Sequence, residues 1–477
     1  MSAPSNKLAA LEAVPASLSP RQRWLVLVVA FLAWMFAGLE ISSFVLISRP
    51  AMKDFLDRQQ TDEPAASLSP TTVGAPSEAS AADREKLIGK WFAWFQAAFL
   101  FGAAGGGWLF GAMGDRLGRV KALSVSIFCY SAITGLSYFV HDAPTLLVFR
   151  FVACLGVGGA WPNAVALVAE AWPDVSRPML AGLLGTAANV GFVLLGLIGC
   201  AVPITQSDWR WVLLVGAAPL LLTPFAWWLP ESPRWLASRL LASKAKPGVW
   251  QRGELLRPPL LNRTLLGICL GAVPVVGTAA SANWVVVWAD KAAEQSHVDR
   301  SRLLVPAGSS VVETKETKES SAAKLKAWTQ VTRSTGAMLG SLLGGWLASL
   351  LGRRLTYFLI SLVTFAASEY LYLFLTPLSS QFQPLTFLLG FAGVTYFGWL
   401  PLYLPELFPT HVRATGSGIA FNFGRIIAGV AVMGAGSLIQ MFGGDYGRLG
   451  AWTSLIYAVG MAIIIFAPDT AGKKLED

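Results

Sequence analysis

The sequence predicts an all-α integral membrane protein, with twelve transmembrane helices in two pseudo-symmetric six-helix bundles. Three observations carry this expectation. Of 477 residues, 54% are hydrophobic and only 14% charged, with a mean hydropathy of +0.54; soluble domains hold nearer a quarter charged residues. The apolar residues gather into about twelve stretches of roughly 20, the length that a bilayer core demands of a helix. One phrase also occurs twice. EAWPDVSRPMLAG (170–182) and ELFPTHVRATGSG (406–418) both fit Glu-x-x-Pro-x-x-x-Arg-x-x-x-x-Gly, an offset of 236 from Glu170 to Glu406. Each copy sits between two apolar stretches.

A second echo runs from WFQAAFLFGAAGG (94–106) to WTQVTRSTGAMLG (328–340), offset by 234. It pairs Gln96, Gly102 and Gly106 with Gln330, Gly336 and Gly340, and brings Gly118-Arg119 onto Gly352-Arg353. Two halves on one plan are a mark of secondary transporters.

Taken in order, residues 1–23 are a polar tail without the basic–apolar–cleavage pattern of a removable signal. The N-terminal bundle covers 24–229. Its first span, 24–47, precedes a long charged, Pro/Ser/Ala-rich outer loop at 48–88, expected to hold some helix around a disordered centre. The next span, 89–113, leads into the tight turn GDRLGRVK. Four more spans follow at 122–140, 144–169, 180–202 and 210–229. Residues 230–262 form a basic central loop. The C-terminal bundle covers 263–468, with a span at 263–289 and a second long outer loop at 290–325. Its remaining spans are 327–350, 355–376, 384–405, 412–438 and 450–468, before a short tail at 469–477.

Charge sets the expected orientation. The net charge of +9 does not point to nucleic acid, because the basic residues cluster in alternate short loops, around Arg116, Arg119, Lys121, Arg353 and Arg354 and through the central loop. The positive-inside rule places those loops, and both termini, in the cytoplasm of a cell (inner or plasma) membrane. The four cysteines, Cys129, Cys154, Cys200 and Cys269, fall in apolar stretches without metal-ligand spacing, and read as small core residues. His141, His297 and His411 all lie outside spans. With no nucleophile–base arrangement, metal site or cofactor motif in evidence, an enzyme is not expected.

Three motifs carry a family resemblance. GDRLGR (114–119) resembles the signature turn of the major facilitator superfamily, and LASLLGRR (347–354) its weakened second copy, with Ser349 in place of the acid. LPESPRWL (229–236) resembles the mid-loop motif of sugar porters and organic-ion transporters. YLPELFPTHVRATGSG (403–418) with FNFGR (421–425) looks most like the metabolite–proton symporter branch. Two departures stand out. Span 7 lacks the paired glutamines of sugar porters, and span 1 reads FAGLEISSF with the single acid Glu40.

The resemblance implies that spans 1, 4, 7 and 10 line a cavity. Ionisable groups inside spans are costly and therefore functional or paired. Glu40 and Arg150 are expected to pair at similar depth. Glu369, on a peripheral span, is a structural candidate opposite Arg333. Arg425 has no evident acid at its depth and invites an anion. Further candidates for the substrate or proton pathway are Gln96, Asn163, Asn283, Trp284, Gln330 and Tyr396, with Trp161 and Trp399 as aromatic neighbours. A cytoplasmic gate is expected from Asp115, Arg119, Glu170, Arg177, Glu231 and Arg234 meeting Arg353, Glu406 and Arg413 across the seam between the halves when the cavity faces outward, and parting from them when it faces inward. The sequence thus reads as a secondary active transporter of a small organic solute, an anion or carboxylate, working as a monomer by proton-coupled alternating access. A sugar or polyol porter, and a transporter-derived sensor without turnover, are the alternatives.

Overall fold

The computed structural model describes residues 18–62, 78–172, 177–233, 235–237, 255–303, 315–409 and 413–470. Among the described residues, twelve long helical segments follow one another. In the first half they are α1 (Pro20–Asp62), α2 (Glu78–Leu117), α3 (Arg119–Leu136), α4 (Ala143–Ala171), α5 (Arg177–Ala201) and α6 (Trp211–Trp227). In the second they are α7 (Leu260–Ser296), α8 (Lys315–Leu351), α9 (Arg353–Phe374), α10 (Phe382–Glu406), α11 (Arg413–Met441) and α12 (Tyr446–Ile465).

Eleven of these are long and apolar enough to cross a membrane. The exception is α6, which is broken by a 3-10 stretch at Ala218–Leu222. Pro219 and Pro224 lack the N–H that a continuous helix needs, and the tighter winding gains some length per residue. Trp108, Leu221, Phe225 and Trp228 stand exposed on the outside of the bundle, a surface that suits lipid and not water.

The two predicted outer loops are largely helix. The first span does not stop at 47: α1 runs 43 residues, through Pro50, to Asp62, and α2 begins at Glu78. On the far side, helix continues beyond α7 to Leu303, and α8 starts at Lys315. These extensions are polar, so a hydropathy reading ends the spans too early. Within α7, Gly277–Ala282 form a π-helical turn, which rotates the face presented by the residues after it.

The halves repeat one packing plan. In each, the first helix packs on the fifth, the second on the fourth, and the third on the sixth. The echoed glycines show why. A Cβ on Gly102 would lie 2.6 Å from the Phe151 carbonyl oxygen, and one on Gly106 1.8 Å from that of Leu155. Their counterparts Gly336 and Gly340 meet the carbonyls of Phe387 and Phe391 at 2.2 and 2.1 Å. Backbones this close admit no side chain, so α2 crosses α4 as α8 crosses α10. Two tyrosines repeat as well: Tyr130 donates to the Ala33 carbonyl at 3.2 Å and Tyr357 to that of Leu270 at 3.0 Å. The halves meet along α2–α11 and α5–α8.

Candidate functional site

The duplicated phrase and the Gly-Arg turns share one end of the bundle, here called the basic end. Gly118 and Gly352 have φ of +113° and +84°, a backbone conformation that glycine adopts without strain. Each sets an arginine at the start of the next helix. Arg119 lies 3.9 Å from Glu170 and 2.5 Å from Asp115. Arg353 grips Glu406 with two bonds, of 2.8 and 3.0 Å. The sequence led us to expect these charges to meet across the seam. Between described residues, every ion pair at this end instead stays inside its own half. The side chains of Arg177 and Arg413 are not described, and Arg234 lies outside the described residues.

Glu231 does not wait for a partner in the opposite half either. Its carboxylate accepts from the backbone N–H of Arg119 at 3.1 Å and of Val120 at 3.2 Å, capping α3 where unpaired N–H groups favour an anion. The mid-loop motif thus docks under the first half, helped by a bond from the Trp235 indole N–H to the Asp115 carbonyl at 3.1 Å.

Deeper in the first half the structure brings Glu40 and Arg150 together. The Arg150 Nη1 sits 2.5 Å from Glu40 Oε1, with both side chains fully buried. Thr134 donates to the same oxygen at 3.4 Å, and the Phe44 ring lies 4.1 Å from the guanidinium carbon. Glu40 Oε2 and Arg150 Nε have no hydrogen-bond partner. The pair is therefore sealed, ionic and incompletely satisfied.

The second half holds two guanidiniums of a different kind, one buried and one half-buried. Arg333 on α8 is 3% exposed; its Nη2 reaches only Gln330 Oε1, at 3.5 Å, and its Nε is unpartnered. Arg425 on α11 lies against the Phe421 ring and donates to the Ala103 carbonyl of α2, at 3.4 Å. Among the described residues no carboxylate comes within ion-pair distance of either. The expected Arg333–Glu369 pair does not form: Glu369 accepts instead from the Ser454 hydroxyl, tying α9 to α12.

The remaining candidates divide. Gln96 Nε2, Asn283 Oδ1 and Trp284 Nε1 are buried polar atoms without partners, so these side chains have bonding capacity to offer. Trp284 also packs on Phe92 of the opposite half, with ring centroids 4.6 Å apart. Gln330 is occupied with Ser334 and Arg333. Asn163 faces α2, donating to the Phe110 carbonyl at 3.1 Å, and fills the space left by Gly114. Tyr396 turns outward to α9, donating to Ser361 at 2.7 Å, and Trp399 donates to the Arg353 carbonyl. Trp161 packs against Trp34 with the rings tilted by 47°. Asn163, Tyr396 and Trp399 are thus committed to helix packing.

At the opposite end the structure shows a cluster that the sequence did not announce. Arg49 of α1 binds Glu85 of α2 at 3.0 Å, and Glu294 and Asp290 of α7 at 2.8 and 3.4 Å. Lys53 reaches Glu294 at 2.5 Å, and Lys326 of α8 reaches Asp290 at 3.4 Å. The Tyr446 hydroxyl of α12 donates to Glu85 at 2.7 Å. The pairs of Arg49 with Asp290 and Glu294, and of Lys53 with Glu294, do join the halves. Their four-residue spacings, Arg49 to Lys53 and Asp290 to Glu294, place each pair on one helix face. That spacing is the signal that a loop reading passes over.

Twelve helices in two halves with one packing plan and matched Gly-Arg turns match a known architecture. The structure superposes on the xylose transporter XylE from E. coli in its inward-open conformation with a TM-score of 0.62, at 17% identity, covering 95% of this chain and 98% of that one. The family described as "Sugar (and other) transporter" matches residues 26–259. Together these matches support a transporter of the major facilitator superfamily. The matched family and the relatives are transporters and not enzymes. Among superfamily relatives, the chain is 27% identical to a protein described as "Probable 4-methylmuconolactone transporter" of Cupriavidus pinatubonensis, over 78% of this chain and 80% of that one. It is also 27% identical to the cis,cis-muconate transport protein of Acinetobacter baylyi, over 74% and 78%.

Proposed function

We propose that this superfamily member moves a small organic carboxylate across the cell membrane by alternating access, driven by protons. One observation carries the reading: among the described residues, neither the buried Arg333 nor the half-buried Arg425 has a carboxylate within ion-pair distance. A charge held out of water is retained where something compensates it, and every other buried arginine described here has a fixed acid. A carboxylate solute supplies the missing charge, and a guanidinium binds it through two parallel N–H bonds. Gln96 and Asn283 add a donor and an acceptor. Relatives named for muconate and methylmuconolactone transport favour the same class over a sugar.

Glu40 is the acid for proton coupling. It is sealed against Arg150, so taking up a proton means releasing that guanidinium, which links protonation to a rearrangement of α1 and α4. The basic end faces the cytoplasm, as do both termini, and one chain is the working unit.

Uptake into proteoliposomes tests this directly. Labelled muconate, benzoate and xylose are offered with and without an inward proton gradient. Concentrative uptake of an acid, lost when the gradient is collapsed, is expected. Uptake of xylose alone would move the chain to the sugar porters, and binding without uptake would make it a sensor.

A further inference from the structure

The Arg49 cluster has a geometry that neither the Gly-Arg turns nor the buried arginines explain. It gathers side chains from α1 and α2 of one half and from α7, α8 and α12 of the other. We propose that it is the outer gate, a clasp that closes the extracytoplasmic mouth and must come apart for solute to enter from outside. This rests on the alternating-access reading above and adds the residues that perform the outer half of the cycle.

Arg49 is the hub because a guanidinium offers five donors in a flat fork, enough to engage three carboxylates at once. Its side chain is only 5% exposed, and those of Asp290 and Lys326 are 6% and 2% exposed. Beneath the cluster the seal continues as an apolar layer. Val286 of α7, fully buried, packs in one core with Leu46 and Phe95 of the first half, and Trp284 meets Phe92. The polar ring lies above and the dry layer below, so parting the first exposes the second to water.

The clasp is also built to reopen. When the halves separate, Arg49 keeps Glu85 and loses Asp290 and Glu294, while Asp290 keeps Lys326. No member is stranded in an apolar site, since the opened mouth admits water. Buried ion pairs gain little net free energy over their hydrated parts, so the closed and open mouths stay close enough in free energy for solute binding to choose between them. The basic end has no such cross-half pair among the described residues, which is the pattern of a molecule closed on its outer side.

The test reads solvent access at the mouth. Val286→Cys is placed in the full-length transporter, and its reaction with a membrane-impermeant maleimide is followed from outside in intact cells, against the same protein without the added cysteine. Arg49→Gln, Asp290→Asn and Tyr446→Phe are then introduced one at a time. Each is expected to raise the labelling rate several-fold, Arg49→Gln most. Arg448→Gln, which removes a pair lying within α12 and its cap, should leave the rate unchanged. If Arg49→Gln fails to reach the membrane, the other two carry the comparison. Labelling at the parent rate in the clasp variants that do reach it would overturn the gate. That readout is independent of uptake: a chain that transports nothing, yet exposes Val286→Cys when the clasp is cut, retains the gate and loses the transport reading.

Discussion

Arg353 holds Glu406 through two bonds, at 2.8 and 3.0 Å, within the second half, while its repeat counterpart Arg119 stands 3.9 Å from Glu170 in the first. The repeat is conserved in plan and unequal in strength. Both partners of the tighter pair are nearly buried, at 12% and 13% exposure. Removing one partner of a buried pair costs about 3–5 kcal/mol, whereas an exposed or loose pair is worth about 0–1 kcal/mol. Arg353→Ala should therefore lower the thermal midpoint of the purified transporter clearly more than Arg119→Ala. Equal shifts in a melting assay would contradict the geometry.

Glu40→Gln separates structure from coupling. Alone it leaves Arg150 buried and uncompensated, a loss of about 3–5 kcal/mol. The double variant Glu40→Gln with Arg150→Met removes both charges, and should recover most of the stability while proton-driven accumulation stays lost. Accumulation at the parental level in the double variant would remove Glu40 from the coupling path.

The two unpaired arginines predict the opposite balance. Because Arg333 and Arg425 strand no carboxylate when replaced, Arg333→Gln and Arg425→Gln should fold and melt close to the parent. Their KM for a carboxylate should rise by about tenfold or more, since a single charge-assisted contact is worth about 1.5–3 kcal/mol. A destabilised protein with unchanged KM would assign both to packing.

The matched crossings give a symmetric expectation. Gly106→Ala and Gly340→Ala each force a methyl group into a backbone carbonyl, at 1.8 and 2.1 Å, and should impair membrane expression to a similar degree. Gly418→Ala, with nothing within 4 Å, should be tolerated. Comparing the three by fluorescence-detected size exclusion checks this.

Much of this fold was legible in the chain. Apolar run lengths marked the helices, and the 234-residue echo located the glycines at which α2 crosses α4 and α8 crosses α10. The Glu40–Arg150 pair followed from the expense of charge inside a span. Side-chain direction was less accessible. Asn163 and Tyr396 lie on helices that the family resemblance expects to line a cavity, but their partners, the Phe110 carbonyl and Ser361, are chosen by helix rotation, which spacing alone does not set. The cross-half pairing expected of Glu170 and Glu406 in an outward-facing molecule is not formed here, where each has an arginine from its own Gly-Arg turn within reach. Arg49, Glu85, Asp290 and Lys326 escaped notice because polar residues beyond an apolar run read as loop, though here the helices simply continue.

Pro50 directly follows Arg49 in the unbroken helix α1. Proline brings no N–H to the carbonyl four residues back, at Leu46, and crowds it. The stiff rod that crosses the membrane thus has its softest joint one residue from the hub of the clasp. The outer segment of α1 can swing like a latch on a pin while the transmembrane shaft below keeps its packing on α5, so unfastening the mouth does not require the whole helix to tilt.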